Sequence, residues 1–146
     1  MEERFETFTV LISKIARNIR KIKNMEMREY DLKGVEGACI FYLYENEILT
    51  ATELSDKCEE DKATISRAVD RLQSLGFVDY QEKDGTHYKA PLILTEEGKA
   101  IGKRIFDKVD AVLDSAGIGL TDADRAEFYK SLAKISDNLD RIANKC

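Results

Sequence analysis

The stretch Glu59–Tyr80, EEDKATISRAVDRLQSLGFVDY, opens with three acids, continues as a periodic apolar stripe and stops at a glycine before alternating apolar residues. Asp61 suits an N-cap, because its carboxylate accepts an unpaired first-turn N–H and complements the positive helix end. From there Ile65, Ala68, Val69, Leu72 and Leu75 recur at helical spacing and predict one buried face. Gly76 is placed to take the left-handed conformation that ends the helix. With Ile65 and Leu72 inward, Ala63, Ser66, Arg67, Asp70 and Ser74 turn outward. One helix thus carries a core face and a free polar face.

Just upstream, Thr50-Ala51-Thr52-Glu53 has the form of a capping box, so a short helix begins near Ala51 and ends near Cys58. Two helices joined by about three residues are the outline of a helix-turn-helix. Before them, VEGACIFYLYE (35–45) is apolar enough for a buried helix. Further back, Phe5, Phe8, Ile12, Ile15, Ile19 and Ile22 predict a long amphipathic helix over residues 3–24. Its other face holds Lys14, Arg17, Arg20, Lys21 and Lys23, read as a solvated face or as a stripe facing phosphate.

Downstream, FVDYQE and YKAPLIL predict two strands joined through Asp84-Gly85. Pro91 cannot donate to a ladder, which places its strand at an edge or pairs it on one side there. The small hairpin has the shape of a wing. Thr95 caps a second long helix carrying Ile101, Ile105, Val109 and Val112. After a break at Gly117 and Gly119, Thr121–Asp124 starts a last helix by the same capping chemistry.

A chain of 146 residues, 43% hydrophobic and 35% charged with a single proline, fits one helix-rich domain able to bury a core unaided. No apolar run is long enough to span a membrane, and the acid-first N-terminus does not resemble a signal peptide, so a cytoplasmic location is expected. Cys39, Cys58 and Cys146 form no CxxC pair, which argues against a disulfide framework and a zinc site. With His87 the one histidine, neither a metal site, a cofactor nor a catalytic triad is expected. An enzyme would need a converging nucleophile, base and oxyanion donors, and no such set is present.

Taken in order, helix, helix, helix-turn-helix, wing, long helix and terminal helix resemble the MarR family of transcriptional regulators over nearly the whole chain. The resemblance is carried by TATELSDKCEEDKATISRAVDRLQSLGFVDY (50–80) and LILTEEGK (92–99). Within these, ATISRAVDRLQSLGFV is similar to the family's recognition helix and first wing strand, and Leu94–Gly98 to its exit from the wing. The resemblance implies a mainly α fold with a small β-hairpin wing, one domain over 1–146. A winged helix-turn-helix lobe would span 35–95, and a helical dimerisation lobe 1–34 with 96–146.

It also implies a homodimeric regulator, a repressor by preference, bound to a pseudo-palindromic double-stranded operator. Family members are often released by a small aromatic or amphipathic effector, and others respond to thiol oxidation. In this sequence the base-reading candidates are Lys62, Ala63, Thr64, Ser66 and Arg67. Arg67 can fork to guanine or grip a phosphate, or pair with Asp61 or Asp70 instead. Arg71 is either a further DNA contact or a solvated side chain. The wing departs from the family pattern: it offers Lys83, His87 and Lys89 in place of an arginine, and Tyr80 stands where an arginine is common.

By the same resemblance, an effector pocket would be lined by Arg17, Phe41, Tyr42 and Tyr44, which could equally be core or dimer-interface residues. The dimer seam would comprise Phe5, Phe8, Ile12, Phe128, Leu132, Ile135, Leu139 and Ile142, unless the terminal helices satisfy each other within one chain. Between Thr50 and Thr95, six Lys and Arg face nine Asp and Glu, a net of minus three. That balance keeps an alternative open, a winged-helix protein–protein interaction module without DNA binding.

Overall fold

Thr50, Asp61, Thr95 and Thr121 each begin a helix by accepting a free N–H, and those caps divide the chain. The structure, a computed structural model, describes Arg4 and residues 6–81 and 90–145. Two compact units are formed, Met1–Val109 and Asp110–Cys146.

In the first unit a π-helical turn, Glu6–Val10, leads into helix α1, Leu11–Met27, which runs three residues past the expected end. A 3-10 turn over Arg28–Tyr30 closes with Asp31 in the left-handed region at φ 55°. Helix α2, Gly34–Asn46, buries Cys39, Ile40 and Leu43, as its apolar composition requires. Helix α3, Ala51–Cys58, opens with the expected box: Glu53 N donates to Thr50 Oγ1 at 3.1 Å and Thr50 N to Glu53 Oε1 at 3.2 Å. Helix α4, Lys62–Ser74, starts where Thr64 N donates to Asp61 Oδ1 at 2.7 Å.

Ile65, Ala68, Val69 and Leu72 of α4 are buried, whereas Leu75 is 40% exposed. The expected inward place for Leu75 fails because the helix ends at Ser74 and Leu75 is its C-cap. Gly76 then takes φ +81° and turns the chain into the sheet.

The sheet has three antiparallel strands in the order β1-β3-β2: β1 is Ile48–Leu49, β2 Val78–Tyr80 and β3 Leu92–Leu94. Strand β1 was not expected, and it makes β3 the central strand rather than an edge. Pro91 is tolerated because it precedes β3, where its carbonyl accepts from Gln81 N at 2.7 Å. The expected wing turn, with Lys83, His87 and Lys89, lies outside the described residues. So does Phe5.

Helix α5, Glu96–Ala116, begins at Thr95, whose hydroxyl accepts from Gly98 N at 3.1 Å and donates to the Gly76 carbonyl at 2.6 Å. A Cβ at Gly98 would stand 2.0 Å from the Phe77 carbonyl oxygen, so only glycine fits this crossing. The core gathers Ile40 and Leu43 of α2, Leu54 of α3, Ile65 and Leu72 of α4, Leu92 of β3 and Ile105 of α5.

In the second unit, Thr121 and Asp124 exchange capping bonds of 3.0 and 3.1 Å to start helix α6, Asp122–Ala143. Arg125 lies against Gly117 and 3.6 Å from Asp114. No residue of α6 is buried; Leu132 and Ile135 are half-buried, while Phe128, Leu139 and Ile142 are 50%, 49% and 62% exposed.

Leu72→Ala removes a side chain with no exposure at the centre of the first unit, and should lower unfolding free energy by about 2–5 kcal/mol in urea titrations. Leu75→Ala should cost about 1 kcal/mol or less in the same measurement.

Candidate nucleic-acid interface and adjoining cavity

Burial of one side of α4 leaves the other side free. Lys62, Ala63, Ser66 and Arg67 are exposed and Thr64 is half-buried, so all five base-reading candidates lie on the first turns of α4. Arg67 Nη2 donates to Thr64 Oγ1 at 3.3 Å, and its charge acts on Asp61. The Asp61 carboxyl is held below its ordinary range, first by the Thr64 backbone N–H and then by the Thr64 hydroxyl. The N-terminal turn of α4 is thereby ordered before any ligand arrives.

Arg71 is half-exposed, and its guanidinium is paired rather than free in solvent. Its Nη1 donates to both oxygens of Glu36, at 2.5 and 2.8 Å, and its Nη2 to the Asp31 carbonyl at 3.0 Å. The Asp31 carboxylate stands 3.5 Å away. Glu36 is 3% exposed and also accepts from Lys33 N at 2.8 Å. Burial pushes the Glu36 carboxyl up, but the Arg71 hydrogen bond, the Lys33 N–H and the two positive charges outweigh it and hold the group below its ordinary value. A signal for this pair existed in the sequence: an acid inside an apolar run must be charged against a partner or be costly.

On the far side of α2's first turn, a cavity of about 620 Å³ opens between α1, α2 and the end of α3. Of the four residues expected at an effector pocket, Phe41 and Tyr42 line this cavity and Arg17 and Tyr44 do not. Arg17 belongs to a neighbouring groove with Lys21 and Arg28, and Tyr44 is packed against Gly102 and tilted on Phe106 at 5.8 Å. Instead Arg20 and Lys23 supply the cavity's positive wall, with Lys23 Nζ 4.7 Å from the Phe41 ring centre. Glu59 and Glu60 border it from the turn after α3.

Cys58 also lines this cavity, and Cys39 lies fully buried behind it. The Cys39 thiol is pushed up by its hydrogen bond with Cys58 and by burial, whereas the same bond draws the Cys58 thiol below its ordinary range. Phe8 and Ile12 on the first helix are 37% and 40% exposed. Among the described residues no cluster of His, Cys, Asp and Glu could hold a metal ion, and no helix is long and apolar enough to cross a membrane.

Residues 30–87 match the model of the MarR family. The HTH-type transcriptional regulator YybA of Bacillus subtilis is 24% identical over 130 residues, covering 89% of this chain and 87% of that one. A MarR family transcriptional regulator from Listeria monocytogenes, solved in complex with a 26mer DNA, is 25% identical with a TM-score of 0.77, covering 88% of this chain and 85% of its own. A MarR family protein from Bacillus stearothermophilus shares the fold at 21% identity, with a TM-score of 0.79 over 96% of this chain and 98% of its own.

The Glu36 carboxylate contributes stability that is full above its ordinary value of 4.5 and is lost as pH falls through its lower folded value. Acid titration of unfolding free energy should therefore fall more steeply below pH 4.5 in the native protein than in Glu36→Gln.

Proposed function

We propose that this chain is a MarR-family transcriptional regulator of the winged-helix fold, a non-enzymatic class of DNA-binding protein, and that it acts in the cytoplasm as a homodimeric repressor on a pseudo-palindromic operator. The observation that carries this reading is the two-sidedness of α4. Its Ile65, Val69 and Leu72 side is fixed in the core while Lys62, Ala63, Ser66 and Arg67 are open at its N-terminal end. These are the positions that meet base edges when a recognition helix enters a major groove. Arg67 supplies the forked donor for guanine, Ala63 a methyl for thymine, and Lys62 and Thr64 phosphate contacts. Lys83, His87 and Lys89, standing in place of the family's wing arginine, extend the contact along the duplex.

Dimerisation is supported by the apolar side chains that one chain leaves open. A helix of 22 residues with none buried, bearing Phe128, Leu139 and Ile142 in solvent, is most simply covered by a second copy. The release step is supported by the cavity. Its Arg20 and Lys23 wall beside Phe41 and Tyr42 suits a small aromatic or amphipathic anion. A second reading, a protein-interaction module, is favoured by the net of minus three between Thr50 and Thr95.

Selection of random duplexes at two salt concentrations separates the two readings. Enrichment of an inverted repeat with half-sites roughly 34–36 Å apart supports the operator reading; no enrichment by folded dimer supports the interaction module. On the selected duplex, Arg67→Ala should weaken binding by roughly 1–3 kcal/mol, measured by fluorescence anisotropy. Leu139→Glu should shift the light-scattering mass from dimer to monomer, and a variant that stays dimeric would remove α6 from the interface.

A further inference from the structure

Arg71 follows Arg67 by one turn of α4, yet its guanidinium is spent on α2 and the turn before it. Three N–H contacts tie it to both Glu36 oxygens and to the Asp31 carbonyl. Glu36 is itself pinned by Lys33 N, at the start of α2. Ile65, Ala68, Val69 and Leu72 of α4 are buried in the core, and what they contribute there is apolar. Apolar contacts are non-directional and tolerate small rotations and slides of a helix. The Arg71 guanidinium does not, because Nη1 must stay aimed at the Glu36 carboxylate while Nη2 stays aimed at the Asp31 carbonyl.

Resting on the reading of α4 as the helix that enters DNA, we propose that Arg71 and Glu36 are a positioning pair for sequence readout: Arg71 touches no phosphate, and the pair fixes the rotation of α4 so that Ser66 and Arg67 meet base edges. Neither Glu36 nor Arg71 lines the cavity, but the neighbours of Glu36 on α2 do. Val35 and Gly37, on either side of Glu36, line that cavity, so the anchor of the reading helix and the lining of the cavity are one turn of α2.

The two roles for Arg71 differ in what salt does to them. A phosphate contact releases counterions, and its loss flattens the dependence of log affinity on log salt by about one. A positioning residue leaves that slope alone and changes discrimination. The test uses the full-length dimer, the duplex selected by the native protein and a scrambled duplex, titrated across salt well below each variant's melting temperature.

Arg71→Gln, Glu36→Gln and the double variant should each lose about tenfold in affinity for the selected duplex, comparable to one mismatched base pair. Affinity for the scrambled duplex and the salt slope should stay as in the native protein. Arg71→Lys keeps the charge and loses the fork; it too should lose discrimination, and it guards against misfolding from an unpaired buried carboxylate. Overturning results are a flatter slope in Arg71→Gln but not in Glu36→Gln, native binding by Arg71→Lys, or unequal losses in the two single variants. If the native protein selects no sequence, the reading of α4 falls and this inference with it.

Discussion

Helix α4 has to be held firmly without being covered, and the apolar stripe Ile65, Ala68, Val69 and Leu72 meets that constraint. Those residues give α4 an anchor in the core shared by α2, α3, β3 and α5. Everything else in the first unit serves the same end. Gly76 and the Thr95 hydroxyl turn the chain tightly into and out of the sheet. Gly98 lets α5 cross the Phe77 backbone at a separation no other residue allows. The cost of a reading surface is that half of a core helix must stay wet, and the dense contacts on the other half offset it.

Much of this was legible because it is local chemistry. The caps at Thr50, Asp61, Thr95 and Thr121 each need only a side chain and an N–H three residues on, so the sequence carries them completely. The features that were missed depend on distant partners. Strand β1 is two residues long and has no periodicity to detect; it exists because Leu92 and Ile93 lie opposite it. Leu75 continues the α4 stripe in spacing but falls beyond the helix end, where periodic extrapolation has no force. Which of three nearby cations faces the cavity depends on how α1 is rotated on α2. Spacing alone could not choose Arg20 and Lys23 over Arg17. The partner of Arg71 lies 35 residues away.

The cavity combines features that pull in different directions. Arg20 and Lys23 attract anions, while Glu59 and Glu60 at the other rim repel them and order a ligand's orientation by charge. Cys58 faces the same space with its thiol drawn toward the thiolate form by Cys39. A molecule entering there meets aromatic faces, a polar rim and a polarisable sulfur within one turn of the residues that fasten α4.

The acidic turn before α4 has a kinetic meaning. Glu59, in the left-handed conformation at φ 55°, hands the chain through Glu60 to Asp61, placing three carboxylates at the entrance to the reading helix. Carboxylates there weaken the sequence-independent attraction to phosphate that makes a basic protein slide along any duplex. A genome offers on the order of a million or more wrong sites, and each copy bound to one of them is a copy withheld from the right one. On the proposed reading of α4, a protein with this turn would spend more of its time in free diffusion and less in storage on bulk DNA. On that reading, a small number of molecules per cell would then suffice to keep an operator occupied.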